Sequence, residues 1–138
     1  MISLSLETRD RVALIDVTPL VEKALAASGL HEGAALVFCP HTTAGVTINE
    51  NADPTVRRDI AMTLERLVPA DLPFAHLEGN SDAHVKASVV GGSVTVPVEG
   101  GRLALGTWQG IYFAEFDGPR QRRLLVQPLA GPLAGPRP

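Results

Sequence analysis

Apolar and polar residues alternate at the start of the chain, as is typical of a half-buried strand. Ile2, Leu4 and Leu6 face one side, and the polar residues between them face the other. Residues 12–17 are again mostly apolar, and the sequence T-R-D-R lies between the two segments. We therefore predict that the two segments pair as a β-hairpin.

Two helices are predicted from their ends and from their apolar spacing. The first begins at Thr18-Pro19 and stops at Gly29, because proline suits a first turn and glycine a left-handed cap. The second follows Asp53, which can cap it, and Pro54. Its apolar residues recur every three or four positions at Val56, Ile60, Leu64 and Leu67.

The remaining apolar segments predict short strands. Residues 34–39 form a continuous apolar run, which is typical of a strand buried on both faces. Residues 93–98 alternate strictly, and turns separate two further strands at 111–116 and 122–127. Strands interrupted by two main helices and followed by hairpins predict an α+β fold with a mostly antiparallel sheet or sandwich.

The length of the chain favours a single domain. With 138 residues and 45% hydrophobic content, it suits one core, which we assign to residues 1–127. Residues 128–138 repeat L-A-G-P without hydrophobic periodicity. We predict that they form a flexible Pro/Gly-rich tail.

Charge and cysteine content narrow the possible partners. A net charge of −3 offers no general attraction to nucleic acid or to an anionic membrane. No apolar run approaches the roughly 18 residues of a membrane span, and the N-terminus lacks the pattern of a signal peptide. The single cysteine, Cys39, suits a reducing compartment and a buried core position better than a nucleophile or metal ligand. We expect a cytoplasmic protein.

Candidate chemistry begins in residues 39–53, which read C-P-H-T-T-A-G-V-T-I-N-E-N-A-D. Helix capping accounts for Asp53 but not for His41 or Glu50. Thr42 and Thr43 add hydroxyl groups beside His41, although threonines also satisfy the backbone of ordinary turns. This stretch is therefore our first candidate for a functional site.

Three of the four histidines lie among polar residues. His41, His76 and His84 could together bind a divalent ion such as zinc and leave a fourth position open. Glu50, Glu78 and Asp82 could orient them or add a further ligand. The spacing of the histidines is not a zinc signature, and the alternative is that they are hydrogen-bonded turn or interface residues. His31 is expected to be an exposed surface residue.

His84 and Ser88 share a face whether their segment is a helix or a strand. Val85 and Val89 would then point together into the core. Lys86 is close in sequence, and its ammonium group would suit a phosphate oxygen, although a solvated surface lysine explains it equally well.

A further cluster, G-T-W-Q-G, begins at Gly106. Trp108 is more typical of a core or a subunit interface than of a stacking platform. Gln109 lies on the other side of the predicted strand and is the better candidate for contacting a ligand.

Three motifs together resemble the YjbQ-like family, which often carries the label secondary thiamine-phosphate synthase. They are the stretch 39–53, G-N-S-D-A-H-V-K-A-S-V-V-G from Gly79, and S-V-T-V-P-V-E-G-G-R-L-A-L-G-T-W-Q-G-I from Ser93. The resemblance implies a homotrimer of α+β subunits with a pocket near the subunit contacts. It also implies a divalent metal, zinc in preference to magnesium, on His41, His76 and His84.

The activity implied by the resemblance joins hydroxymethylpyrimidine diphosphate to thiazole phosphate and releases pyrophosphate. On that basis the catalytic residues would be Glu50, His84 and Lys86. The residues that bind a small phosphorylated substrate would be Thr42, Thr43, Asn80, Ser88 and Gln109. The alternatives are a metal-dependent hydrolase or phosphotransferase acting on a small phosphorylated metabolite, and a non-catalytic trimer that binds a metal or an anion.

Overall fold

The computed structural model describes residues 1–131, which form eight strands and three helices. In chain order these are β1 (Ile2–Glu7), β2 (Ala13–Asp16), α1 (Thr18–Ser28), β3 (Gly33–Phe38), β4 (Ala44–Glu50), α2 (Pro54–Leu67), α3 (Ser81–Val90), β5 (Ser93–Glu99), β6 (Arg102–Leu103), β7 (Gln109–Glu115) and β8 (Gln121–Ala130). Within the described range, none of the helices combines the length and apolar character needed to cross a membrane.

The strands form two separate sheets. The larger has the order β1-β8-β3-β5-β6 and the smaller the order β2-β7-β4. Neighbouring strands pair antiparallel in both sheets. The predicted α+β class with a mostly antiparallel arrangement is therefore confirmed.

The two sheets pack face to face around the main core. Val37 and Leu124 of the larger sheet and Val46 and Phe113 of the smaller sheet belong to one buried cluster, which Val21 of α1 completes. Along β8, buried side chains alternate with exposed ones, so that this strand contributes one face to the core. β7 is instead buried on both faces from Gly110 to Glu115. Cys39 is buried in the same cluster, as expected for a core residue.

The opposite face of the smaller sheet is covered by two helices. Leu14 and Tyr112 of this sheet pack with Leu64 of α2 and with Ala83 and Ala87 of α3. The order of layers is therefore large sheet, small sheet, helices. This arrangement fixes α3 against the small sheet, close to strand β4.

The outer face of the large sheet has an apolar patch on β3 and β8 that is not covered. Phe38 and Leu129 are 44% and 43% exposed, and Leu36 and Leu125 are only half-buried by the part of the chain that the structure describes. The prediction that β3 is buried on both faces is therefore wrong for the single chain. Its sequence is apolar on both faces, but the fold covers only one.

The predicted N-terminal hairpin is also wrong. β1 pairs with β8, and β2 pairs with β7 in the other sheet. Between them, the Thr8 hydroxyl donates to Glu115 Oε1 at 2.7 Å, which ties this connection to distant residues. Alternation predicted that β1 has one buried face, but it could not identify the strand beside it.

Helix α1 has both predicted ends, and α2 has the predicted start. Gly29 closes α1 with a φ of 69°, in the left-handed region that favours glycine. Asp53 Oδ1 accepts a hydrogen bond from the Thr55 amide at 2.9 Å at the start of α2. Besides the two main helices that the sequence predicted, residues 81–90 form a third. Its apolar face consists of small alanines, so the sequence lacks a strong helical stripe.

The domain extends beyond its predicted end. β8 continues to Ala130 and pairs there with β3, and the Gly131 amide donates to the Glu32 carbonyl at 2.9 Å. Residues 128–130 therefore belong to the sheet and not to the tail. The rest of the predicted tail, residues 132–138, lies outside the described residues.

Substituting Gly45 should test the close contact between β4 and α3. A Cβ atom at this position would lie 2.5 Å from the Gly91 carbonyl oxygen. We expect Gly45→Ala to lower the free energy of unfolding by about 1–3 kcal/mol, measured by urea denaturation. Gly92→Ala is the matched control, because its nearest atom would be 3.9 Å away. Equal stability of the two variants would contradict the packing described.

Candidate functional site

A depression of about 350 Å³ lies where β3 ends, β4 begins and α3 passes over them. It is lined by His41, Thr42, Ala44, His84, Ala87, Ser88 and Gly92. We call it the His41 pocket. Its volume is in the range of small-molecule sites, and its polar groups come from two segments that are far apart in sequence.

Two glycines after α3 hold the His41 pocket together. The Gly91 carbonyl accepts from the Val46 amide at 3.0 Å, and the Gly92 carbonyl accepts from the Cys39 amide at 2.8 Å. The two bonds attach the end of α3 to one strand of the small sheet and to the segment after β3. Gly91 has a φ of 96°, which other residues rarely adopt. The local backbone therefore sets the distance between His41 and α3.

His84 also lines a second depression, of about 390 Å³. The other lining residues are Phe74, His76, Ser81 and Val85, so part of this surface is apolar. The ring centroids of His76 and His84 are 5.7 Å apart, edge to face. His84 is therefore the one candidate residue shared by the two depressions.

His41 is held by the main chain of the neighbouring strand. Its Nε2 atom accepts a hydrogen bond from the Arg123 amide at 2.8 Å, and its ring packs edge to face on Phe113. Burial lowers the pKa of His41, and the positive charge of Arg122 lowers it further. The neutral form of this imidazole is therefore favoured.

The metal site implied by the resemblance does not fit this arrangement. Imidazoles are suitable zinc ligands, but within residues 1–131 no three His, Cys, Asp or Glu side chains converge so as to hold an ion. The lone pair on His41 Nε2 already accepts the Arg123 amide. His76 and His84 remain as neighbours, with His76 Nε2 at 3.6 Å from Glu78 Oε2.

The expectation that Lys86 contacts a phosphate is wrong for this structure. Its side chain is 1% exposed, and its ammonium nitrogen lies 2.9 Å from Asp82 Oδ2. Arg11 binds the other oxygen of Asp82 at 3.0 Å. The helix places Lys86 about 200° around its axis from His84, toward the interior. Val85 and Val89, expected in the core, are instead 40% and 65% exposed.

The two threonines beside His41 have different roles. Thr42 is exposed and lines the His41 pocket, as expected of a ligand-binding residue. Thr43 is buried, and its hydroxyl accepts from Arg122 Nη2 at 2.9 Å. Arg122 Nε also donates to Glu115 Oε1 at 2.9 Å. Thr43 therefore belongs to a buried polar network beneath the pocket, and the expectation that it contacts substrate is wrong.

Glu50 and Gln109 are not brought to the pocket. They pair with each other at the far end of β4, six residues from Ala44, which is about 20 Å along an extended strand. Gln109 Oε1 accepts from the Gly106 amide at 2.8 Å and so closes its own turn. In the single chain Glu50 therefore does not lie beside the histidines, and its metal-orienting role stays a prediction. The neighbouring Trp108 is 63% exposed and not part of the core.

Asn80 and Ser88 lie at the start and near the end of α3. Asn80 Nδ2 donates to Asp117 Oδ2 at 2.9 Å, and its carbonyl accepts from the Ala83 amide at 3.0 Å. It therefore orients the helix and does not line the His41 pocket. Ser88 does line the pocket, and its hydroxyl donates to the His84 carbonyl at 3.0 Å, which leaves its oxygen free to accept.

Arg123 is a candidate residue that the sequence did not single out. Its amide binds His41, and its side chain is exposed while that of Arg122 is buried. Its positive charge also acts on the pKa of His41, which indicates proximity. The nearby arginines Arg120, Arg122 and Arg123 were the available signal, and strand alternation places Arg122 and Arg123 on opposite faces of β8.

The fold and the pocket define a class: small α+β proteins with two antiparallel sheets and a histidine-lined pocket between sheet ends and a helix. The family model for the UPF0047 protein YjbQ-like family matches residues 2–131. The chain belongs to this family.

Two curated relatives match over most of their length. UPF0047 protein MJ1081 of Methanocaldococcus jannaschii is 52% identical over 122 residues, covering 88% of each chain. UPF0047 protein YugU of Bacillus subtilis is 52% identical over 126 residues, covering 91% of this chain and 96% of its own. This chain is therefore similar to both along nearly the whole described domain.

Solved structures agree with the fold. An uncharacterized YjbQ/UPF0047 family protein of Clostridium acetobutylicum has a TM-score of 0.90 and 55% identity, covering 92% of this chain and 98% of its own. A conserved hypothetical protein of Thermus thermophilus has a TM-score of 0.87 and 42% identity, covering 94% of this chain and 100% of its own.

The buried carboxylate of Asp82 should make the free energy of unfolding depend on pH. Burial opposes its ionisation, but hydrogen bonds from Arg11 and Lys86 outweigh that effect and lower the pKa of Asp82. A carboxyl group whose pKa is lowered on folding stabilises the protein at pH values above its pKa in the unfolded chain, which is about 4. This stabilisation is lost as the pH falls through the lower pKa of the folded state. We expect Asp82→Asn to be less stable at neutral pH and the difference to shrink below about pH 4, measured by urea denaturation. A difference that stays constant with pH would contradict this account.

Proposed function

We propose that the His41 pocket binds the phosphate groups of a small phosphorylated metabolite, and that the protein catalyses a thiamine-phosphate-synthase-like transfer. The observation that carries the proposal is the pair of depressions that share His84 as a lining residue. The His41 pocket offers the Thr42 hydroxyl and two imidazoles, with the Arg123 charge nearby. These groups suit an oxyanion, because hydrogen-bond donors and positive charge stabilise phosphate oxygens.

The second depression supports a reaction with two substrates. Phe74 and Val85 give it an apolar side that suits a heterocyclic ring, and His84 lines both it and the first depression. In the proposed step, the bond between the pyrimidine methylene carbon and the diphosphate oxygen breaks. A carbon–nitrogen bond to the thiazole forms with the electron pair of its nitrogen, and pyrophosphate leaves with the electrons of the broken bond.

The roles of the residues follow from the charges in that step. Negative charge develops on the departing diphosphate, and fixed donors aimed at it lower the barrier. Thr42 and His84 would supply donors, Arg123 would supply positive charge, and Phe74 would orient the ring. Holding two substrates side by side contributes further, because it replaces a chance encounter with a fixed approach.

An assay with both heterocyclic phosphates tests this function. We expect the purified protein to form thiamine phosphate and pyrophosphate, and His84→Ala to reduce the rate about 100-fold. His31→Ala is the matched control, since His31 is exposed and outside both depressions. No product from the wild-type protein would overturn the proposed reaction. Equal rates for the two variants would overturn the role of the pocket.

A metal-dependent hydrolase or phosphotransferase is the second candidate. The observation that favours it is the proximity of His76 and His84, with Glu78 beside His76. Histidine and carboxylate side chains are typical zinc ligands, and a bound zinc would supply a Lewis acid. These three side chains would have to move together to hold an ion, because within residues 1–131 they do not converge on one point. Metal analysis of protein purified without a histidine tag, and a phosphoester screen with and without chelator, separate this candidate from the first. Phosphate binding without any turnover would instead favour a non-catalytic module.

The proposal includes a cytoplasmic location, supported by the single buried cysteine. Burial raises the pKa of the Cys39 thiol, which keeps it protonated and unreactive. Such a chain forms no internal disulfide and suits a reducing compartment.

We also propose that the protein assembles as a homotrimer through the outer face of the large sheet. This face carries an apolar patch, which is only half-buried in the single chain and consists of Leu36, Phe38, Leu125 and Leu129. Covering it would satisfy the apolar composition of β3 on both faces. The amide of Arg123 that binds His41 belongs to the same sheet, so the pocket would lie near the subunit contact.

A single charge on this face tests the assembly. We expect the wild-type protein to have three times the monomer mass by light scattering, and Phe38→Lys to shift it toward the monomer, because a buried unpaired charge is costly. Met62→Lys is the matched control, since Met62 is 41% exposed on α2 in another layer. A monomeric wild-type protein would overturn the proposed trimer.

A further inference from the structure

We propose that the main-chain amide of Arg123 fixes His41 as the Nδ1–H tautomer, so that His41 is a neutral hydrogen-bond donor to an oxyanion and not a metal ligand. The identity of the oxyanion as a phosphate rests on the proposed function. The tautomer itself does not, because it follows from contacts within the chain.

The Arg123 amide needs a partner because strand β3 ends too early to provide one. The β3–β8 ladder stops at the pair Phe38 and Leu125. Continued by two residues, it would reach Pro40 and Arg123, but the chain has already left the sheet there. The His41 ring supplies the missing acceptor at 2.8 Å. A strand amide left without a partner would be unfavourable, so the fold itself favours this bond.

One hydrogen bond determines which of the two ring nitrogens carries the proton. A neutral imidazole has one nitrogen that accepts and one that carries the proton. Since Nε2 accepts from Arg123, the proton lies on Nδ1. A doubly protonated ring has no lone pair on Nε2, so the hydrogen bond from Arg123 also requires the neutral ring. Among the described residues, no hydrogen bond engages Nδ1, although the ring lines the pocket.

The tautomer decides what His41 can bind. A metal ion needs a free lone pair, and His41 has none while the Arg123 bond exists. An oxyanion needs a donor, which Nδ1–H provides. With the Thr42 hydroxyl beside it and the Arg123 charge nearby, the site is suited to phosphate oxygens.

Nitrogen NMR of protein labelled with ¹⁵N-histidine tests the tautomer directly, without ligand and at about pH 8, above the ordinary histidine pKa of about 6.5. We expect the Nδ1 signal of His41 to be that of a protonated nitrogen and the Nε2 signal that of an acceptor. His31, which is exposed, serves as the internal control and should have the usual mixture of tautomers. Protonated Nε2 in His41 would overturn the proposal.

Titrations with zinc and with inorganic phosphate test the consequence. We expect zinc to leave both His41 nitrogens unchanged, and phosphate to shift the Nδ1 signal. Zinc coordination at His41, or phosphate binding that leaves His41 unchanged, would overturn the proposed role. If phosphate does not bind at all, the proposed function and the donor role both fail, while the ligand-free spectrum still decides the tautomer.

Two substitutions test the roles of the two ring nitrogens separately. The amide oxygen of His41→Gln can replace Nε2 as the acceptor, whereas the shorter side chain of His41→Asn cannot reach that position. We expect the glutamine variant to keep the wild-type urea midpoint but bind phosphate about tenfold more weakly, because Nδ1–H is lost. We expect the asparagine variant to have a lower midpoint. The reverse order of midpoints would contradict the structural role of Nε2.

Discussion

Two consecutive carbonyl groups, those of Gly91 and Gly92, join helix α3 to both sheets. One accepts from Val46 in the small sheet and the other from Cys39 just beyond the large sheet. Everything in the candidate site depends on this junction, because it brings His84 on the helix beside His41 at the sheet end. The left-handed φ of Gly91 and the close approach at Gly45 explain why small residues occupy these positions.

Buried ion pairs lie next to the residues that line the candidate site. Glu115 and Arg122 pair beneath Thr43, and Asp82 binds Lys86 beneath the helix that carries His84. Removing one partner of such a pair leaves a charge without compensation in a poorly solvated place, at a cost of several kcal/mol. These networks therefore constrain the positions of the lining residues. They also remove Lys86 and Thr43 from the set of groups that could contact a ligand.

The groups that remain available to a ligand in the His41 pocket are hydrogen-bond donors and a nearby positive charge. His41 accepts a hydrogen bond at Nε2, Thr42 is exposed, and the positive charge of Arg123 acts on His41. Such a set is better suited to an oxyanion than to a metal ion, which would need convergent lone pairs. His84 is the point at which this polar pocket meets the more apolar depression beside it, and for that reason we give it the central role in the proposed transfer.

The sequence by itself determined the α+β class, both ends of α1, the start of α2, and the alternating faces of strands such as 93–98, because these depend on local periodicity and capping. It also identified His41, Thr42, His84 and Ser88, which do line one pocket. Only the tertiary structure decided that β1 pairs with β8, that Glu50 lies far from the histidines, and that Lys86 is buried. Strand pairing and burial depend on contacts between distant segments, and local patterns carry no information about which segments meet.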